Sequence, residues 1–136
     1  MIMAFLDDMA VWVTGGLDLT AGVDLFVGRM IDRPNRQVGL YATAGLDPSF
    51  TFGANSVPVL EQPGLQIRCR ASDEATAESL CRDVWDRLTR CENETINGTR
   101  YLVVTARQPP FPNGRDQRDR DMWASNFIAI LQPAVL

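Results

Sequence analysis

The stretch from residue 115 to residue 121, RDQRDRD, carries the highest density of groups that could do chemistry. Six of its seven residues are charged: Arg115, Asp116, Arg118, Asp119, Arg120 and Asp121. Three carboxylates at this spacing could hold Mg²⁺, as in a metal-dependent nuclease. Each aspartate, however, has a neighbouring arginine that competes with a dication, and no separate acidic cluster supplies further ligands. We therefore predict no metal site.

Other catalytic chemistry has no support in the composition. The chain has no histidine, so it lacks the imidazole of Ser-His-Asp triads and of most proton shuttles at neutral pH. Cys69, Cys81 and Cys91 form no C-x-x-C pair, and we expect them to be reduced. No glycine-rich stretch fits a phosphate-binding loop. The sequence predicts a protein that is not an enzyme and that needs no cofactor.

The arginines leave other interpretations open. Arg100, Arg107 and the arginines of residues 115–121 could converge to bind nucleic acid, but the interleaved aspartates weaken their field and the formal net charge is −4. Arginine and aspartate can instead form charge-assisted pairs, within the loop or with a copy on a neighbouring subunit. A solvated loop whose local pairs contribute little is equally compatible with the pattern.

Two adjacent elements that must position this loop have clear hydrophobic patterns. Residues 73–90 repeat apolar positions every three or four residues, which predicts an amphipathic helix with Ser72 or Asp73 as its N-cap. Residues 65–71 alternate strictly, which predicts a half-buried strand with Arg68 and Arg70 on its polar face. The apolar face of the strand should pack on the helix that follows.

Weaker patterns complete the expected fold. They predict a helix over residues 4–13, strands over 24–30 and 37–43, a projecting loop or irregular hairpin over 44–64, a hairpin around Asn97-Gly98 that leads into a strand over 99–106, and a last strand over 123–131 that ends at Pro133.

Together these elements predict a single α+β domain over residues 1–136. We expect a mostly antiparallel sheet of about four to five strands with both helices packed on one face. The other face would be solvated surface or a subunit interface, and its members would be Arg68, Arg70, Tyr101, Val103 and Arg107. No apolar run approaches the roughly 20 residues of a membrane span, so we expect no membrane partner.

The order of several short motifs resembles the tail terminator family of long-tailed bacteriophages, whose members are often labelled minor capsid proteins. The motifs are the PGLQIRCR strand, a helix with regular Ala, Leu and Trp positions, INGTRY, a proline-rich turn, and GRDQRDRD leading into NF. They span residues 24–133 in the family's order, and the long Gly- and Pro-containing stretch over 44–58 departs from it.

The resemblance implies a structural virion protein of the phage tail or neck, assembled in the host cytoplasm. Such proteins have an α/β fold and form a ring, usually a hexamer, that stops growth of the tail tube and docks the head connector. The implied partners are further copies of the chain, the tail tube protein and the head-tail connector proteins, while DNA only passes through the lumen.

The resemblance and the charge pattern together suggest which residues form an inter-subunit or tail-facing edge. The candidates are Arg68, Arg70, Arg115, Asp116, Arg118, Asp119 and Arg120. The alternative function is that of a head-completion or neck adaptor protein of similar size. A small nucleic-acid-binding module is a further alternative, with less support from the residues.

Overall fold

The computed structural model describes residues 2–50 and 58–132, which contain two helices and seven strands. In chain order these are α1 Ile2–Gly16, β1 Leu25–Val27, β2 Gln37–Phe50, β3 Pro58–Ala71, α2 Glu74–Thr89, β4 Glu92–Ile96, β5 Thr99–Ala106, β6 Phe111–Arg115 and β7 Asp121–Gln132. Residues 51–57 and Pro133, the predicted end of the last strand, lie outside the described residues. Neither described helix is long and apolar enough to cross a membrane.

The strands form one sheet in the order β1-β2-β3-β7-β5-β4, with β6 paired to the first part of β7. Among the strands of the described residues, only β1 and β2 pair in parallel. The α+β class and the mostly antiparallel sheet are therefore confirmed, but the predicted number of strands is wrong. The strand predicted over 24–30 is present as β1 but has only three residues. β6 was not predicted, because its turn-like sequence FPNGR lacks the repeated alternation by which a strand is recognised.

The sheet curls around the helices, and the predicted packing of both helices on one face is not supported. α1 contacts β1 and β2 at one end of the strand order, and it also contacts β4 at the other end. One helix can contact both edges of a sheet only if the sheet bends around it. α2 contacts α1 and the central strands β3, β5 and β7.

The core lies between the helices and the inner side of the curled sheet. Leu65, Ile67 and Cys69 of β3 are fully buried, as their alternation predicts, and α2 buries the apolar residues of its predicted stripe. Asp73 is the N-cap of α2, and its side chain accepts a hydrogen bond from the backbone N–H of Thr76 at 2.8 Å. The strand and the helix that lead to the charged face are thus set by clear sequence patterns.

Within the described residues, the ends of β2 and β3 that face each other pair as an irregular antiparallel hairpin, one of the two alternatives predicted for residues 44–64. Pairing continues from Thr43↔Gly64 to Phe50↔Pro58 through several register shifts. The two strands approach closely here: a Cβ atom added to Gly45 would lie 2.1 Å from the carbonyl oxygen of Gln62. Only glycine fits at this position without moving a backbone.

Tyr101 lies in the core and not on the outer face, which corrects the prediction made from strand alternation. A register shift in β5 pairs Tyr101 with Leu131 and Val103 with Ile130, and these two partners point to opposite faces of β7. The Tyr101 ring is 1% exposed and stacks on Phe5.

The register shift also gives a buried carboxylate its partners. Asp8 of α1 is 4% exposed, and one of its oxygens accepts a short hydrogen bond from the Tyr101 hydroxyl. The other oxygen accepts a hydrogen bond from the Asn97 amide at 2.9 Å. Burial and the nearby Asp8 carboxylate raise the pKa of Tyr101, so the phenol stays protonated and donates. Asp8 therefore joins α1 to the β4–β5 hairpin.

The substitution Tyr101→Phe should lower the free energy of unfolding by about 2 kcal/mol, because it leaves a buried carboxylate without its hydroxyl donor. Urea unfolding followed by circular dichroism measures this. In an Asp8→Asn background the same substitution should lower the free energy of unfolding by clearly less. The reason is that a buried neutral amide without a donor is less unfavourable than a buried carboxylate without one. Equal costs in both backgrounds would contradict this role of Asp8.

Candidate interaction surface

The loop between β6 and β7 is held in shape by Asp116. One of its carboxylate oxygens accepts hydrogen bonds from the backbone N–H groups of Arg118 at 3.0 Å and Arg120 at 2.9 Å. The other oxygen accepts a hydrogen bond from the Arg120 guanidinium at 2.7 Å. Asp119 turns the chain with a positive φ of 60°, a conformation that aspartate tolerates better than most residues. The charged loop is therefore an ordered turn.

Arg115 joins the two ends of the same loop. Its guanidinium donates hydrogen bonds to Asp119 and to Asp121, each at 3.1 Å. The hydrogen bond to Asp119, and to a smaller extent the one to Asp121, raises the pKa of Arg115 above its already high value. Charge-assisted pairs within the loop, one of the predicted alternatives, are thus present in the chain.

Arg120 connects the loop to a second segment far away in sequence. Although charged, Arg120 is only 8% exposed. Its guanidinium donates to the backbone carbonyl of Asp32, to the Asn35 side chain at 3.2 Å and to the Asp32 carboxylate at 3.3 Å. Arg118, which is largely exposed, also contacts the Asp32 carboxylate at 3.0 Å. Asp32 is therefore shared by two arginines of the loop.

Arg70 holds the same second segment from below. It is 5% exposed, and its guanidinium donates only to backbone carbonyl groups. These belong to Ile31 at 2.8 Å, Asp32 at 3.3 Å, Pro34 at 2.8 Å and Asn35 at 3.1 Å. Burial, followed by the charge of nearby Arg120, lowers the pKa of Arg70. An arginine normally titrates so far above neutrality that the group remains a cation.

Gln37 completes this anchoring. It lies opposite Arg70 in the register of β2 and β3, it is fully buried, and its side chain binds two backbone groups of the segment. Its side-chain oxygen accepts from the backbone N–H of Ile31 at 2.7 Å, and its amide donates to the Pro34 carbonyl at 3.0 Å. Residues 31–36 are themselves exposed, so their shape depends on these contacts and not on a core of their own.

We call residues 30–36 and 115–121 together the arginine surface. Four of its arginines are exposed: Arg33, Arg36, Arg115 and Arg118. Sequence reasoning found the loop but missed the residues 30–36, together with Gln37. Their sequence is typical of a polar connection around Pro34-Asn35. The only feature that could have indicated an ordered surface is the high density of charged and amide side chains.

Arg68, the remaining predicted interface residue, lies beside the arginine surface on the outer face of β3. Its guanidinium carbon is 4.2 Å from the centre of the Tyr41 ring, and its Nε donates to Gln66 at 2.7 Å. Gln66 in turn donates to Asn126 of β7 at 3.0 Å. The structure thus places all seven predicted residues at one end of the sheet, but Arg70 and Arg120 are buried anchors within the chain.

The three aspartates once considered as magnesium ligands have arginine partners. Asp116 binds Arg120, and both Asp119 and Asp121 bind Arg115. No group of three or more residues suited to holding a metal ion occurs in the parts of the chain that the structure describes. The carboxylates therefore orient arginines, and what the surface offers chemically is a fixed pattern of charges and hydrogen-bond groups.

Comparison with known proteins decides the family. The model of the bacteriophage tail terminator protein family matches residues 13–133, which include every strand and the whole arginine surface. The chain belongs to this family. A search of the curated proteins gives no match.

Tail terminators are structural proteins of the phage virion, not a family of enzymes. Membership therefore gives this terminator a structural role in the phage tail and implies contacts with other tail and head proteins. The charged groups of the arginine surface are paired and ordered by the chain itself, so the surface presents them in fixed positions.

Asp116 makes the terminator's loop sensitive to acid. Burial alone would raise the pKa of Asp116, but hydrogen bonds from the Arg120 side chain and from the backbone outweigh it, and the pKa is lowered. A lowered pKa in the folded state contributes stability that is complete above the unfolded value of about 3.9 and is lost as the pH falls through and below it.

We therefore expect Asp116→Asn to lower the free energy of unfolding by about 2 kcal/mol at pH 6 to 8. The difference from the unmodified chain should shrink below about pH 4, where Asp116 becomes protonated. Urea unfolding over this pH range measures it. In an Arg120→Met background the effect of Asp116→Asn on the free energy of unfolding should be smaller at every pH. If the effect of Asp116→Asn in the unmodified chain does not change with pH, the role given to the Asp116 carboxylate is contradicted.

Arg118 and Arg120 form a matched pair of variants. Both contact Asp32, but only Arg120 is buried, so Arg120→Met should cost about 3 kcal/mol of unfolding free energy by leaving Asp116 without its charged partner. Arg118→Met should cost less than about 1 kcal/mol. Hydrogen exchange of the Ile31 amide should accelerate in the first variant only. Equal effects would show that burial does not distinguish the two arginines.

Proposed function

We propose that this terminator caps the tail tube: it ends tube polymerisation and then forms the surface on which the head connector docks. The family match over residues 13–133 carries this proposal, because it covers the fold and the arginine surface together. The ordered charges support it, since a surface whose side chains are already fixed loses little conformational freedom on binding. The chain would do this as a structural part of the virion, without catalysis.

Assembly is proposed to give a closed ring, expected to be a hexamer, that forms in the host cytoplasm and lets DNA pass through its lumen. The predicted interface residues would contribute in two ways. Arg68, Arg115, Asp116, Arg118 and Asp119 would lie at or near the contact, whereas Arg70 and Arg120 would hold its shape from below. The formal net charge of −4 favours passage of DNA, because a strongly basic ring would retain the duplex.

Electron microscopy of a phage that lacks this gene tests the proposal. Because nothing would stop the addition of tube subunits, we expect tails several times longer than normal or polymerised tubes without heads. A plasmid copy of the gene should restore tails of normal length. Tails of normal length beside unjoined filled heads would overturn the proposal in favour of a neck adaptor. Salt-dependent retention of the purified chain on duplex DNA would instead favour a nucleic-acid-binding module.

A further inference from the structure

Two buried arginines hold a segment that contributes nothing to the core. Residues 31–36 are exposed, yet Arg70 and Arg120 are buried and direct their guanidinium groups at this segment. Burying a cation is costly unless its hydrogen bonds are satisfied, and here both guanidinium groups are well satisfied by the segment and by Asp116. A connection that only faces solvent would gain little from such anchoring. A segment that forms a contact surface would gain a fixed shape from it.

Positive charge is concentrated around this contact surface. Eight of the thirteen arginines and six of the seventeen acidic residues lie in the arginine surface or beside it. Those beside it are Arg29, Arg68, Arg70, Asp73 and Glu74, of which the last two follow Ser72, whose hydroxyl accepts a hydrogen bond from Asn35. This leaves a local excess of positive charge on a chain that is acidic as a whole. The exposed arginines therefore favour an acidic partner.

The same chain carries an acidic surface at the opposite end of the sheet. One row of paired residues crosses the strands there, from Leu46↔Gln62 through Glu61↔Leu131 and Leu131↔Tyr101 to Tyr101↔Glu94. Five acidic residues lie on or beside this row and form what we call the acidic end: Asp7, Asp47, Glu61, Glu92 and Glu94. Two arginines lie near these acidic residues: Arg100, which binds Asn93 at 3.3 Å, and Arg90, which precedes Glu92 by two residues.

The arginine surface and the acidic end are separated by the length of the sheet. A second row of paired residues, Gln37↔Arg70 and Arg70↔Met122, lies beneath the arginine surface. Glu61 and Arg70 are nine positions apart along β3, which corresponds to about 30 Å at roughly 3.4 Å per residue. The two surfaces therefore cannot bind one another within one chain, but each can bind the other surface on a different copy.

We infer that the arginine surface of one copy binds the acidic end of a second copy, head to tail. Because the two surfaces differ, the contact is heterologous: every copy uses each surface once, and rotation between copies closes a ring. Contacts between two like ends are repelled, so charge also selects the orientation. The inference rests on the proposed ring and names the surfaces that would form it.

One-sided charge reversals and their combination test this inference on the purified chain. The arginine-side variant is Arg33→Glu with Arg36→Glu, and the acidic-side variant is Asp47→Arg with Glu92→Arg. All four side chains are exposed, so the fold should persist, and circular dichroism checks this. The matched control for the arginine-side variant is Arg82→Glu with Arg107→Glu, which makes the same change in net charge as that variant at exposed positions outside both surfaces.

Sedimentation velocity at about 50 mM and 500 mM NaCl gives the readout, because high salt screens such contacts. We expect the unmodified chain and the control to assemble at low salt and to dissociate at high salt. Each one-sided variant alone should assemble at least tenfold more weakly. A mixture of the two should assemble in alternation, because each variant presents the surface that the other one needs, and the chain with all four substitutions should assemble again to within about threefold. The recovery is decisive because a merely damaged surface would not be rescued.

Three results would overturn the inference: a chain that stays monomeric at low salt, one-sided variants that assemble normally, or no recovery in the combined variant. If the arginine-side variant assembles normally but no longer binds tail tubes, the surface faces the tube and not a second copy. These outcomes are separate from the proposed function, which depends on tail length in the phage that lacks the gene.

Discussion

The arrangement of the charged face depends on the buried guanidinium group of Arg70. It donates to four carbonyl groups of residues 31–35, and the neighbouring Gln37 and Arg120 bind the same segment. A lysine could not replace it, because an ammonium group has three donors at one point, whereas a guanidinium spreads five donors over a planar fork. The chain contains no lysine, and at this position the geometry of the contacts requires arginine.

The central position of β7 makes this arrangement possible. β7 pairs with β3 along one side and with β6 and then β5 along the other, so it brings the loop that precedes it next to the strand that carries Arg70. The curl of the sheet matters equally, since it lets α1 contact both edges and lets Asp8 reach the β4–β5 hairpin. The charged face and the core are therefore parts of one continuous sheet.

Local patterns predicted much of this fold. Helix α2 and the second half of β3 were predictable because their apolar residues recur with an unambiguous period, and Asn97-Gly98 identified the β4–β5 turn. Tyr101 was misplaced because strict alternation cannot reveal a register shift. β6 was missed because it depends on pairing with a longer neighbour, and the strand predicted over 24–30 is limited to the three residues of β1. The partners of Arg70 and Arg120 lie about 35 and 88 residues away, beyond the reach of local patterns.

The anchoring of residues 31–35 through carbonyl groups separates the shape of this segment from the identity of its side chains. Because the hydrogen bonds of Arg70 to this segment all go to main-chain carbonyl groups, neighbouring exposed residues such as Ile31 and Arg33 can be exchanged in evolution without loss of the anchor. A phage lineage could retune which neighbour this protein accepts by exchanging a few outward residues on an unchanged frame. The exposed residues of this segment would then diverge in sequence when the assembly partner changes, while Arg70 and the other anchoring residues would change slowly.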